Sequence, residues 1–240
     1  MIFVRFGTAL MIMPGVGDTF VSPRIRLFFA LALTLIVTPS LAGNIPDAPT
    51  TGSFLYIMYL VKEAIIGFFI GVVARILMSI LSIAGMVISM QSGLASAMVF
   101  NPTMSGQGSI IGSFFSVMGV ALLFATNMHH LVIMAIYNSY DLFQFGTITN
   151  LGDMTSVISN LVNDVFRIGV QFATPFIVIS LMMYLALGVL ARLMPQLQVF
   201  FIALPLQILI SFLVLMVVLS VGMTYWLTQY QEIFTDIFAR

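Results

Sequence analysis

The longest uncharged stretch of the chain decides its class: Ile76–Tyr140 reads ILMSILSIAGMVISMQSGLASAMVFNPTMSGQGSIIGSFFSVMGVALLFATNMHHLVIMAIYNSY. These 65 residues contain no Asp, Glu, Lys or Arg. A helix needs about 20 apolar residues to cross the hydrocarbon core of a bilayer, which is about 30 Å thick. The stretch is therefore long enough for two or three segments at membrane depth.

The rest of the chain has the same character. Of its 240 residues, 61% are apolar and 7% are charged, and the mean hydropathy is +1.16. A soluble domain is about one quarter charged, so the composition predicts an integral membrane protein. Three further uncharged stretches have 20, 24 and 39 residues: Leu27–Pro46, Ile168–Ala191 and Leu193–Gln231.

Because an open sheet edge cannot be exposed to lipid, we predict an all-α membrane protein with five to six hydrophobic segments, broken helices and helical hairpins. Residues 1–240 would form a single polytopic domain. An amphipathic tail, about residues 228–240, would lie on the membrane or dock to a partner, and Tyr225–Trp226 would lie at the membrane interface. The predicted helices cover residues 1–13, 26–37 (ending before Pro39), 54–96 (bent near 82–85), 110–137, 157–192 (kinked at Pro175) and 199–226.

Charge and composition exclude several functions. Eight basic residues balance eight acidic ones, so no basic excess exists to bind nucleic acid. Without Cys the chain has no disulfide and no thiolate chemistry. No catalytic motif is present, so we predict neither an enzyme nor a cofactor. Because neighbouring side chains project about 100° apart on a helix, His129 and His130 favour packing over a metal site or a proton relay.

Charges inside a hydrophobic segment point to helix packing. Glu63, Gly67, Gly71 and Arg75 follow each other at intervals of four, so they form one stripe on a helix. Two glycines spaced in this way let another helix approach closely, and ionisable groups at such depth face protein partners, water or a pathway. We assign these four residues to subunit packing, although the pattern leaves open whether the inserted helix belongs to this chain. The alternative is that Lys62 and Glu63 lie at the membrane interface and that Arg75 extends its guanidinium towards it. Elsewhere, Asp164 and Arg167 have the spacing of an intrahelical ion pair.

Several separated motifs carry a resemblance to a known family. They are QSGLASAMVFNP (91–102), LLFATNMHHLVI (122–133) and LALGVLARLMPQLQVFFIALPLQI (185–208). In these motifs, and in PGVGDTFVSPRIRLFFALAL and KEAIIGFFIGVVARI before them, the chain resembles the FliR family. Members are the R subunits of the flagellar type III export gate, and they are related to the T subunits of injectisomes. The resemblance covers nearly the whole chain.

The resemblance implies a hetero-oligomeric gate in the bacterial inner membrane, at the flagellar basal body. The implied partners are P-type and Q-type gate subunits, other membrane proteins of the flagellar export apparatus, and unfolded flagellar proteins as export substrates. It also implies a plug, for which the residues in this sequence would be Gln91, Ser92, Gly93, Met98, Phe100, Asn101, Pro102, Gly106 and Gly108. In the A-R-x-x-P-Q motif, Arg192, Pro195 and Gln196 would fix the turn between the last two long helices.

Two other classes of function stay open. A stand-alone secondary transporter or channel would favour repeated halves and ion sites at the membrane midplane, and neither is visible in the sequence. An intramembrane enzyme would need a nucleophile and a base, and no such set is apparent.

Overall fold

The computed structural model describes residues 1–41, 53–94, 109–144, 151–194 and 199–238. All regular secondary structure in these ranges is α-helical, which confirms the all-α fold predicted from composition. The helices, in chain order, are α1 (Ile2–Ile12), α2 (Pro23–Leu41), α3 (Ser53–Gln91), α4 (Ile110–Ala125), α5 (His129–Leu142), α6 (Leu151–Leu193) and α7 (Val199–Phe238).

Four of these helices are long and apolar enough to cross a membrane, namely α2, α3, α6 and α7. A fifth candidate span is the pair α4 and α5, which is bent by 71° at a short break. Helix α1 is apolar but has only 11 residues, about 16 Å of helix, so it cannot cross alone. Five candidate spans and one short apolar helix agree with the predicted five to six hydrophobic segments.

The break between α4 and α5 corrects one prediction. A single helix over 110–137 was expected, but the chain turns at residues 126–128. Asn127 has φ +59° there, a left-handed conformation that Asn tolerates better than other non-glycine residues. The polar pair Thr126–Asn127 within an apolar stretch is the sequence signal for this turn.

Other helix ends also differ from the prediction. Helix α2 was expected to end before Pro39, yet it extends to Leu41. A proline at this position removes the one helical hydrogen bond that its missing N–H would donate. Helix α3 ends at Gln91 rather than near 96, since Gly93 adopts φ +77°. Asp141 and Asp153 fall between the predicted helices 110–137 and 157–192, yet both are helical. Asp141 lies in α5, and Asp153 lies in the first turn of α6, where a negative charge stabilises the helix.

The C-terminal tail was expected to be an amphipathic helix that lies on the membrane or docks to a partner. In the structure it is the continuation of α7. Its buried side chains recur every four residues, and the ring of Phe238 packs edge-on against Phe69 of α3 with centroids 6.1 Å apart. The tail therefore docks within its own chain. Trp226, expected at the membrane interface, is fully buried.

The chain divides into two compact units. The first comprises residues 1–78, 120–162 and 230–240, and its core includes Phe6, Ile70 and Ile136. The second comprises residues 79–119 and 163–229, and Phe115 and Phe172 pack in its core with ring centroids 5.5 Å apart.

In the second unit, small residues of α3 and at the start of α4 pack closely against each other. Helix α3 is continuous through residues 82–85, where a bend was expected. A Cβ placed on Gly85 would collide with the backbone of Gly112 in α4. Ser109 donates to the carbonyl of Gly85 at 2.9 Å, and the hydroxyls of Ser82 and Ser116 are 3.0 Å apart. The small residues thus let α4 cross α3 closely.

Candidate functional site

The packing stripe of α3 is filled by the first helix of the same chain. A Cβ on Gly67 would collide with the backbone of Arg5 and the hydroxyl of Thr8. A Cβ on Gly71 would lie 2.9 Å from both the carbonyl oxygen of Ala9 and the Cβ of Ile12. Both distances are shorter than real Cβ contacts, so only glycine allows this approach. The sequence left the origin of the inserted helix open, and the structure shows that it is α1.

One end of this interface is a buried ion pair. The Arg5 guanidinium donates to both carboxylate oxygens of Glu63, at 2.6 and 3.0 Å. It also donates to the Ser139 hydroxyl at 2.9 Å and to the carbonyl of Phe143 at 3.2 Å, and it lies 3.8 Å from the centroid of the Tyr140 ring. Bidentate geometry and further acceptors are what a buried pair needs to offset its desolvation. Arg5 thereby joins α1, α3 and α5.

The other end of the interface is held by Arg75. Its guanidinium donates to the carbonyl of Ile12, the last residue of α1, at 3.3 Å. It also forms an ion pair with Asp18 at 3.2 Å. A cation at a helix C-terminus is favourable because carbonyl groups there lack helical partners. Asp18 in turn accepts from the backbone N–H of Gly15 at 2.8 Å, so Arg75 fixes the turn that follows α1.

The end of α3 carries a second polar cluster. The side-chain amide of Gln207 in α7 donates to the backbone carbonyl of Gln91 at 2.6 Å. The Ser180 hydroxyl of α6 donates to the side-chain oxygen of Gln91, also at 2.6 Å. Tyr184 lies one turn after Ser180, and its hydroxyl is 3.3 Å from the Gln207 nitrogen. Three helices of the second unit are thus tied together where α3 ends.

Comparison with known proteins identifies the chain. Residues 1–233 match the family model described as bacterial export proteins, family 1. The chain belongs to this family. It is similar to the flagellar biosynthetic protein FliR of Caulobacter vibrioides, with 39% identity over 99% of this chain and 94% of the relative. The FliR of Bacillus subtilis is 31% identical over 92% of this chain and 85% of the relative.

The similarity also extends to a relative that is named as a secretion system apparatus protein. The secretion system apparatus protein SsaT of Salmonella typhimurium is 26% identical over 70% of this chain and 65% of the relative. The resemblance to FliR read from the sequence is confirmed. This family 1 export protein is a membrane component of a bacterial export apparatus.

Only some of the predicted plug and turn residues of this export protein lie within the described ranges. Gln91, Ser92 and Gly93 lie at the end of α3, and Arg192 is exposed in the last turn of α6. The remaining predicted residues fall outside the described ranges: Met98, Phe100, Asn101, Pro102, Gly106, Gly108, Pro195 and Gln196.

Sequence reasoning missed the partners of its own candidate residues. Arg5 was not singled out, although it is the only charged residue before Asp18 and a buried Glu63 requires a counter-charge. Ser180 and Gln207 were also missed, because each is an ordinary polar residue in an apolar helix. Gln207 follows Leu204 and Pro205 in the family motif, and this position was the sequence signal that could have identified it.

Two smaller predictions can be located. Asp164 and Arg167 form the expected ion pair at 3.1 Å, on an exposed face of α6. The His129 ring stacks on Phe124 with centroids 4.8 Å apart, and His130 packs beside it at 4.1 Å. Among the residues that the structure describes, no group of three or more His, Asp or Glu side chains could hold a metal ion.

Proposed function

We propose that this chain is a subunit of the flagellar type III protein export gate. With P-type and Q-type subunits it forms the closed pore through which unfolded flagellar proteins leave the cytoplasm. In this proposal the chain is not an enzyme and carries no cofactor. It lies in the bacterial inner membrane at the flagellar basal body, next to the other membrane proteins of the export apparatus.

The observation that carries the proposal is the extent of the family match. It runs from residue 1 to residue 233, and the Caulobacter vibrioides relative named as a flagellar biosynthetic protein is covered over 94% of its length. The helices α1 to α6 lie entirely within the family match, and α7 lies within it up to residue 233. A role shared with the flagellar relatives therefore rests on the whole chain rather than on one motif.

The surface of α6 supports assembly with other proteins. Large exposed apolar side chains extend along it from Val162 to Leu193, about 47 Å of helix at 1.5 Å per residue. The hydrocarbon core of a bilayer is about 30 Å thick, and an average tilt of about 20° shortens the projected length by only about 3 Å. A bilayer alone would leave part of this surface in water, so protein partners are favoured.

The arrangement of the buried charges supports a structural role over solitary ion transport. The Arg5 guanidinium and the Glu63 carboxylate bind each other and are at most 2% exposed. Ionisable groups on a transport pathway would instead face a water-filled cavity or change partners. The charges of the α3 stripe hold helices together.

Native mass spectrometry of the chain in mild detergent tests the proposal. The chain is purified alone, with P-type and Q-type subunits, and with an unrelated membrane protein as the control. We expect one heteromeric mass that contains this chain and both subunit types, and no complex with the control. A well-behaved monomer that ignores both subunit types would contradict the proposal and favour a stand-alone transporter or channel.

A further inference from the structure

We propose that the second unit faces the hydrocarbon of the bilayer with residues 178–193 of α6 and residues 206–221 of α7, and that both helices leave the hydrocarbon at the level where Gln171 contacts Tyr225. The partner assigned to this surface is lipid, and the edge of the lipid contact is set by residues of this chain. The inference is carried by the exposed faces of the two helices and does not depend on the proposed function.

One outward stripe of α6 changes its character at Pro175. Side chains spaced by three or four residues share a face of a helix. Before Pro175 the exposed members of this stripe are polar, and after it they are apolar. The buried side chains of Ile168 and Phe172 lie on the opposite side, so the stripe points away from the core of the unit. The polar members are Asn163, Arg167, Gln171 and Thr174, and the apolar members are Val178, Leu181, Leu185 and Val189.

Helix α7 carries an outward stripe with the same change in the reverse order. Large exposed apolar side chains come first, at Leu206, Leu209, Leu213 and Val217. The exposed members that follow on this face carry hydroxyl groups, at Ser220, Thr224 and Thr228. Val221, at the edge of the stripe and 72% exposed, is the last large exposed aliphatic side chain of α7 among the described residues.

Two contacts place the two changes at the same level. Tyr225 of α7 donates its hydroxyl to the side-chain oxygen of Gln171 in α6 at 3.1 Å. Towards the other end of the pair, the Tyr184 hydroxyl of α6 lies 3.3 Å from the Gln207 nitrogen of α7. The two helices therefore run antiparallel, and the polar part of one lies beside the polar part of the other. A change at one level in both helices indicates a single boundary between two media.

The apolar part of the pair has nearly the thickness of a bilayer core. Residues 178–193 and residues 206–221 each comprise 16 residues, about 24 Å of helix, and the hydrocarbon core is about 30 Å thick. Arg167 and Arg192 lie on either side of the apolar members of the α6 stripe. They are 25 residues apart, about 37 Å along the axis, so both guanidinium groups can lie outside the hydrocarbon.

The boundary also explains the position of two polar features. Asp164 and Arg167 form an exposed ion pair at 3.1 Å, which is costly in hydrocarbon and ordinary beyond its edge. Tyr225 is a residue type enriched at membrane interfaces, and its hydroxyl is bonded at the level of the change. Phe166, which is 60% exposed, lies on the far side of the boundary, where a protein partner rather than lipid would cover it.

Spin labelling tests the inference, because the chain contains no Cys and one introduced Cys carries the only label. The full chain is reconstituted in vesicles of phosphatidylcholine and phosphatidylglycerol, alone and with the P-type and Q-type subunits. Electron paramagnetic resonance measures label collisions with O2, which concentrates in hydrocarbon, and with a nickel chelate, which stays in water. Ala173→Cys, at a fully buried position of α6, is the control for a label covered by protein. The test positions are Leu181→Cys, Leu185→Cys and Leu213→Cys inside the boundary, and Asn163→Cys and Thr228→Cys outside it.

We expect the three inner labels to collide often with O2 in both preparations. Their collisions with the nickel chelate should be at least about tenfold rarer than at the two outer labels, because moving a polar group into hydrocarbon costs about 2 kcal/mol or more. The outer labels should show the reverse preference. The label at residue 173 should collide rarely with both reagents.

Three results would overturn the inference. Inner labels that collide rarely with both reagents, like the label at residue 173, would show that protein covers this surface. Inner labels that collide often with the nickel chelate would place the surface in water. Outer labels that collide often with O2 and rarely with the chelate would remove the boundary at Gln171 and Tyr225. Failure to assemble with the two subunit types would contradict the proposed function alone, since the chain without them still decides the lipid contact.

Discussion

Arg5 and Glu63 are 58 residues apart in the chain, yet they form a bidentate ion pair with contacts of 2.6 and 3.0 Å. Their side chains are 0% and 2% exposed. A carboxylate at such depth is tolerable only with a partner, so the docking of α1 on α3 and the burial of Glu63 depend on each other.

Removing one member of this pair should strongly destabilise the protein. We expect Glu63→Ala to lower the free energy of unfolding by about 3–5 kcal/mol, because Arg5 would remain buried without its counter-charge. Arg75→Ala is the matched control, since its ion pair with Asp18 is half-exposed and such pairs contribute about 1 kcal/mol or less. Reversible unfolding in detergent measures both. Equal losses for the two variants would show that the Arg5–Glu63 pair has no special role.

A large side chain in the packing stripe should displace α1. Gly71→Leu would place its Cβ 2.9 Å from the backbone of Ala9, so amide exchange in residues 2–12 should accelerate about tenfold, and assembly with the P-type and Q-type subunits should be lost. Gly188→Leu is the control, because nothing lies within 4 Å of a Cβ at Gly188. Normal exchange and intact complex from Gly71→Leu would contradict the docking of α1 described here.

The stripe shows how far sequence reasoning reaches. Spacing by four identified Glu63, Gly67, Gly71 and Arg75 as one face, because helical geometry alone fixes which residues share a side. Which helix fills that face depends on contacts between residues far apart in sequence. The partners of Gln91, in α6 and α7, lie outside what a local pattern can reveal for the same reason.

The helix boundaries were harder to predict than the helices themselves. Length and hydropathy predicted that the segments are helical, but the turn at Asn127 depends on one residue in a left-handed conformation. The tail was predicted to be amphipathic. Its apolar face could not be assigned to membrane or protein, because Phe69, which packs against Phe238, is 169 residues away in sequence.

The turn at Asn127 should distinguish residues by their backbone preference. Asn127→Gly should fold like the wild type, because glycine adopts a φ near +59° readily. Asn127→Val should destabilise the protein by about 1–2 kcal/mol, since a β-branched side chain is strained there. Comparing the two unfolding midpoints in detergent checks this. An equally stable Val variant would indicate that the break between α4 and α5 lies elsewhere.

The tail should lose its docking when its buried aromatic face is shortened. Phe234 is 1% exposed and packs against the rings of Tyr230 and Phe238. Phe234→Ala should destabilise the docked tail by about 3–5 kcal/mol, seen as faster amide exchange in residues 230–238. Gln231→Ala, on the exposed face, is the control. Identical exchange in both variants would place the tail on the membrane surface, as the sequence alone allowed.

The central claim is that the stripe of α3 is filled by the first helix of its own chain. Charge exchange tests it most directly, with native mass spectrometry of the gate complex as the measurement. Arg5→Glu and Glu63→Arg should each abolish assembly. Both substitutions in one chain should restore it in part, because the opposite charges face each other again. Co-expression of the two single variants as separate chains should not restore it. Recovery of the complex from the separate chains would place this ion pair between subunits and contradict the account.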